Sequence, residues 1–144
     1  MARPVSLIFE QDFSYGSSPD LSGPQPVAVV VLETIDRTGR IPPQTGLVDS
    51  GAAFSIFFPE HAETLGLEVR QGKAEDLRTA GGGLLRVWHH PLRTNCGRFS
   101  MEGEVAFTEE KQFPIPIIGR SPFFESLIVG MNDRRRRVWL GSAN

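Results

Sequence analysis

The segment Gly46-Leu47-Val48-Asp49-Ser50-Gly51-Ala52 sets one carboxylate between an apolar run and a turn of small residues. Leu47 and Val48 favour the end of an extended strand, while Gly51 and Ala52 let the backbone bend sharply and approach a second backbone or a substrate. An aspartate so placed has two readings: a catalytic carboxylate working as acid or base, or a turn residue capping its own loop. Other chemistry-bearing residues point less far. His61, His89, His90 and Cys96 suggest a zinc set, but adjacent residues on a strand face opposite ways, so His89 and His90 do not share a metal; they read as solvated or half-buried, with no metal and no cofactor. Gly81-Gly82-Gly83 lacks the Lys-Ser or Lys-Thr that follows in a phosphate loop, which argues against a nucleotide site.

Strands must hold these residues. Residues 5–9 read as a short apolar strand and residues 11–25, rich in Gly, Ser, Pro and Asp, as a loop or tether, so that residues 1–25 precede a domain over 26–144. Residues 27–34 form an almost unbroken Val, Ala and Leu run, the pattern of a strand buried on both faces. Residues 54–58 read as strand. A helix is expected over residues 59–66, with Pro59 in its first turn, Glu60 early and Gly66 at its end. Residues 98–107 carry Phe99, Met101, Val105 and Phe107 at alternate positions, and residues 127–131 and 137–140 close the chain. Short strands with frequent turn signals and two brief helices predict a closed, barrel-like all-β fold.

In this setting Asp49-Ser50-Gly51-Ala52, followed by Ser55-Ile56, resembles the active-site signature of the aspartic proteases, and the chain length resembles their single-lobed, retropepsin-like branch. Pro116-Ile117-Ile118-Gly119-Arg120 is similar to that family's apolar-apolar-Gly-Arg element, which passes beside the active-site loop and leads into a short helix, here residues 122–126. Thr79 to Trp88, with Gly81, Gly82 and Gly83 at its tip, resembles the family's glycine-rich flap hairpin. The three elements stand in family order. The resemblance implies an acid-protease lobe in which Asp49 is catalytic, Ser50, Gly51 and Ala52 complete its loop, and Ile117, Ile118 and Gly119 support it.

Aspartic peptidases activate water between two carboxylates that share one proton, yet the chain holds no second Asp-Ser-Gly or Asp-Thr-Gly. The resemblance therefore implies a homodimer, the two Asp49 loops meeting on a two-fold axis and cleaving a peptide or protein substrate. Gly51 would let the loops approach, and the Ser50 hydroxyl would bond to the partner's backbone. Ala52 stands where pepsin-like members carry a hydroxyl, which implies a less acid working pH. Ala53 replaces an aspartate that grips substrate backbone in many viral members, so their specificity does not carry over. A catalytically silent peptide-binding or dimerisation module is the alternative reading.

Composition bounds the rest. The 144 residues, 40% of them hydrophobic, suit one domain and not two lobes. Fifteen Lys and Arg against 17 Asp and Glu give a formal charge of −2, which offers no electrostatic case for nucleic acid or an anionic membrane as partner. The run Arg134 to Arg137 reads as a polar turn before Val138-Trp139-Leu140. A lone cysteine, Cys96, forbids an internal disulfide and reads as packing; with no secretory h-region and no spanning apolar run, the expectation is a cytoplasmic protein.

Overall fold

β-Branched and aromatic runs, punctuated by Gly, Pro, Asn and Asp, form short strands, as their side chains pack well on a pleated surface. The computed structural model describes residues 3–17, 21–110 and 114–143. In chain order its elements are β1 (Gln11–Ser14), β2 (Val27–Thr34), β3 (Gln44–Val48), β4 (Ile56–Phe57), α1 (Pro59–Thr64), β5 (Lys73–Arg78), β6 (Leu84–Cys96), β7 (Phe99–Phe107), β8 (Ile117–Ile118), α2 (Phe123–Ser126), β9 (Leu127–Asn132) and β10 (Arg137–Ser142). Strands β2, β3, β8, β4, β7 and β6 pair in that order, and β6 pairs back onto β2 from Val31↔Asn95 to Thr34↔Leu92. Six strands thus close a barrel. β5 lies outside the ring, paired only to β6, and a separate sheet runs β1-β10-β9.

β6 is 13 residues long because it serves two structures. Its first half pairs with β5 as a hairpin arm, and its second half is a barrel stave between β7 and β2. Side chains alternate across a strand, so the two halves feed different cores. Leu85 and Val87 join Ile56, Ala106 and Ile117 in a small cluster, while Leu92 and Cys96 enter the main core with Leu32, Phe107 and Ile118. Pro91 stands at the changeover, where β6 is paired on one side only, and there a strand tolerates the missing N–H. Val138 and Leu140 belong to the main core too, so the three-stranded sheet packs on the barrel and not apart from it.

Local signals hold well in places. α1 starts on Pro59 and ends in a Schellman motif: Gly66 N–H donates to the Glu63 carbonyl and Leu67 N–H to the Ala62 carbonyl, at 2.9 Å each, with Gly66 at φ +76°. The arginine run does form the β9–β10 turn, and its last member, Arg137, opens β10.

Three expectations are overturned. Residues 5–9 are not a strand: Val5 and Ile8 are 78% exposed, and pairing begins instead in the supposed loop, where Gln11–Ser14 joins β10. Polar side chains select that register, because the Arg137 guanidinium bonds to both Ser14 and Asp12. β2 is not buried on both faces either. Its burial alternates, with Val29 40% exposed, because a barrel stave shows its outer face to water. The strand expected over residues 54–58 shrinks to Ile56–Phe57, since Phe54 and Ser55 remain in the loop joined to Ser121. Among the described residues no helix is long and apolar enough to cross a membrane.

Cys96 lies in the main core, and burial pushes its thiol up to about 12. The thiolate is the reactive form, so native protein at pH 8 should ignore a thiol reagent and react fully once urea unfolds it. Rapid labelling of folded protein in a spectrophotometric thiol assay would contradict this packing.

Candidate active site

Asp49 is the first residue beyond β3, and backbone bonds hold β3 on both sides. β3 runs antiparallel to β2 and parallel to β8, with Leu47 opposite Ile117 and Val48 opposite Ile118. Val48 N–H donates to the Pro26 carbonyl at 2.9 Å, Leu47 N–H to that of Pro116 at 2.8 Å, and Asp49 N–H to that of Ile118 at 2.9 Å. Beyond Asp49 the chain turns, with Gly51 N–H donating to Asp49 Oδ1 at 2.9 Å and Ala52 N–H to the Asp49 carbonyl at 3.2 Å. This fixes one carboxylate oxygen. Oδ2 receives no hydrogen bond among the described residues, and the side chain is half-buried, so the carboxylate can meet a group from outside.

The outgoing half of the loop is stitched to residues 119–121. Arg120 N–H donates to the Ala52 carbonyl at 2.8 Å, Ser121 N–H to that of Ala53 at 3.0 Å, and Ser55 N–H to that of Ser121 at 2.9 Å. Gly119 N–H donates to Ser55 Oγ at 3.1 Å, and Ser55 is 2% exposed. Gly119 is where the two backbones meet closest: a Cβ there would stand 2.9 Å from the Ala52 carbonyl oxygen and collide with the carbonyl of Phe54.

The predicted residues come together in part. Asp49, Ser50, Gly51 and Ala52 form one turn; the Ile118 carbonyl engages its first residue, and Gly119 N–H engages the Ser55 hydroxyl just beyond it. The Ile117 side chain enters the small cluster, against which Leu47, Ala52, Phe54 and Leu77 also pack; that of Ile118 goes into the main core. Ser50 is exposed. Gly81, Gly82 and Gly83 sit in the hairpin tip, closed by Thr79 N–H to the Gly83 carbonyl at 2.9 Å and Gly82 N–H to that of Thr79 at 3.0 Å. Nothing lies within 4 Å of where a Cβ on Gly81 or Gly82 would stand, so the hairpin touches the loop region through its arms, by Leu77, Leu85 and Val87, and not through its glycines.

The histidines differ from their sequence reading. His89 and His90 are 6% and 8% exposed, hence buried, because β6 is covered on both faces where its two cores meet. They do face apart: His89 Nε2 lies 2.6 Å from Glu75 Oε2, His90 Nε2 2.9 Å from the Val69 carbonyl. His61 Nδ1 accepts from Phe58 N–H at 3.2 Å at the start of α1. No three His, Cys, Asp or Glu side chains gather as a metal site among the described residues. Sequence reasoning placed Ser55 in the active-site signature without giving it a role, and singled out neither Phe54 nor the Glu75–His89 pair. Ser55 had a signal, as the single polar residue in Phe54-Ser55-Ile56-Phe57-Phe58, since a buried hydroxyl needs a partner.

The profile of the family described as "Aspartyl protease" matches residues 34–121, which takes in the Asp49 loop, the hairpin and the Gly119 crossing. Among solved structures, a retropepsin-like aspartic protease from Rickettsia conorii is similar at a TM-score of 0.61 and 14% identity, over 91% of this chain and 99% of that one. EIAV protease, solved with the inhibitor HBY-793, is similar at 0.51 and 18%, over 72% of this chain and 89% of that one. No curated protein sequence matches at a significant level.

Gly119→Ala tests the crossing. The colliding atoms are backbone on both sides and cannot swing away, so the variant should lose about 3 kcal/mol of stability. A urea unfolding midpoint equal to wild type would show that the two segments do not approach this closely.

Proposed function

The chain belongs to the aspartyl protease family and has the retropepsin-like fold, and from that premise we propose that it is a homodimeric endopeptidase whose one active site is made by two Asp49 residues. The observation that carries this reading is the Asp49 turn. It presents a half-buried carboxylate on a rigid backbone, with one oxygen held by Gly51 N–H, and the sequence holds a single Asp-Ser-Gly. Two like carboxylates brought close cannot both ionise, so the pair keeps one proton. The ionised member takes a proton from water, whose oxygen attacks the scissile carbonyl carbon, while the protonated member gives its proton to the carbonyl oxygen. The tetrahedral adduct then collapses: one of its hydroxyls returns a proton to the pair as the C=O re-forms, the C–N bond breaks, and the departing nitrogen takes up the proton drawn earlier from water, so that the pair again holds one.

The other predicted residues take supporting roles. Gly51 leaves room for a second loop, and the exposed Ser50 hydroxyl is free to reach the partner's backbone. Gly119 and Ser55 lock the far half of the loop, which preorganises the carboxylate. The β5–β6 hairpin serves as the flap, covering an extended peptide and excluding water, and the packing of Leu77, Leu85 and Val87 next to Ala52 and Ile117 supports that role.

Two outcomes follow. Sedimentation at micromolar concentration should give a dimer, and specific activity should fall on dilution; a strict monomer that cleaves peptides would refute the shared site. Asp49→Asn keeps the size of the side chain but can neither share a proton nor act as base, so turnover should drop by about 10³-fold or more with the circular dichroism spectrum unchanged. Wild-type cleavage by that variant would make Asp49 a turn residue and nothing more.

A further inference from the structure

The underside of the hairpin changes character along its length. Toward the tip it carries Leu77, Leu85 and Val87, which pack in the small apolar cluster. Toward the base the same face carries Glu75 and His89. The register pairs Glu75 with Val87 and Lys73 with His89, so Glu75 meets His89 along the diagonal of the ladder, Oε2 to Nε2 at 2.6 Å. The imidazole is 5% exposed and the carboxylate 46%. The ring also touches the Asp49 loop: its centroid lies 4.4 Å from that of Phe54, the planes 63° apart in an edge-on contact.

Two features set this contact apart from ordinary packing. The backbone of Phe54 is fixed by its bridge to Ser121, but its ring is half-buried and rests on His89. The His89 Nδ1 atom is buried and has no hydrogen-bond partner among the described residues. A leucine or phenylalanine would fill the position without burying an unpaired nitrogen, so stability alone does not select histidine here. What histidine adds is a ring that packs on Phe54 and is oriented by a carboxylate from the other hairpin strand.

We propose that His89, oriented by Glu75, is a positioning residue of the active site: it fixes the Phe54 ring as a wall of the substrate cleft and couples that wall to the base of the hairpin. The inference rests on the peptidase reading and extends it to how substrate is gripped. Asp49 is held separately, by Ile118 and Gly51, so disturbing His89 reaches substrate binding and not the carboxylate. Binding common to ground state and transition state appears in KM with kcat preserved.

The experiment uses the full chain, a quenched peptide chosen from sequences cleaved in a peptide library, and backbone hydrogen exchange. Glu75→Ala, a change at a half-exposed side chain, should raise KM about fivefold, as for the loss of one hydrogen bond, with kcat within about twofold. Exchange over residues 52–55 and 79–83 should quicken together. Glu75→Gln keeps an acceptor for Nε2 and should restore both readouts, while His89→Phe keeps the ring but not its anchor and should behave as Glu75→Ala. Unchanged KM and exchange in Glu75→Ala and His89→Phe would overturn the proposal, as would a fall in kcat alone. Exchange is also read in the Asp49→Asn background, where no turnover is needed, so an inactive wild type would sink the peptidase reading while the coupling of Phe54 to the hairpin is still decided.

Discussion

A loop that carries a carboxylate out of a barrel must have its own backbone groups satisfied, and here one short strand and the three residues after it supply most of the partners. β8 is two residues long, yet it pairs with β3 on one side and β4 on the other, which makes it the stave that lets the six-strand ring close. The residues that follow it bond to the carbonyls of Ala52 and Ala53 and to Ser55. Closure of the fold and placement of Asp49 therefore rest on the same few hydrogen bonds. Each lost bond would leave a polar group unpaired in an interior of low dielectric, so the crossing is hard to disturb locally.

From that crossing the division of labour between the two cores follows. Alternation sends Val48 and Ile118 into the main core and Leu47 and Ile117 into the small cluster, so adjacent residues on the same two strands stabilise the barrel and floor the region under the hairpin. The hairpin is committed to the barrel on one side alone. β5 has one strand neighbour among the described residues, and Gly81 and Gly82 have nothing within 4 Å of a Cβ position, so the hairpin reports to the loop through its arms. In the proposed dimer this is a useful asymmetry: the carboxylates sit beyond a strand bonded on both sides and the cover on a hairpin whose outer strand is bonded on one.

Much of this is written in the sequence. Pro59 and Gly66 mark α1 through the residues' own backbone preferences; the Val-rich run marks β2; and three short motifs carry the family likeness through types and spacing alone. These are signals whose physics is settled within a few neighbouring residues. The N-terminal strand was misplaced for the opposite reason. Apolar residues 5–9 look like a strand by pattern, but Gln11–Ser14 becomes one because β10 lies beside it and Arg137 offers a guanidinium to Ser14 and Asp12.

Closure decides what periodicity does not. Nothing local in β2 tells that its second half will meet β6 and close a barrel, in which a stave shows one face, Val29 among it, to water. The burial of His89 and His90, the bond from Gly119 to Ser55 and the Glu75–His89 pair likewise join residues 14 to 64 positions apart or follow from covering both faces of one strand. By itself the sequence determined the family, the strand-rich class and the carboxylate loop, because those depend on residue identity and short spacing. Tertiary structure alone decided which polar atoms are paired, which face of each strand is dry, and what holds the loop in place, because hydrogen-bond partners and burial are set by segments that meet only when the barrel shuts.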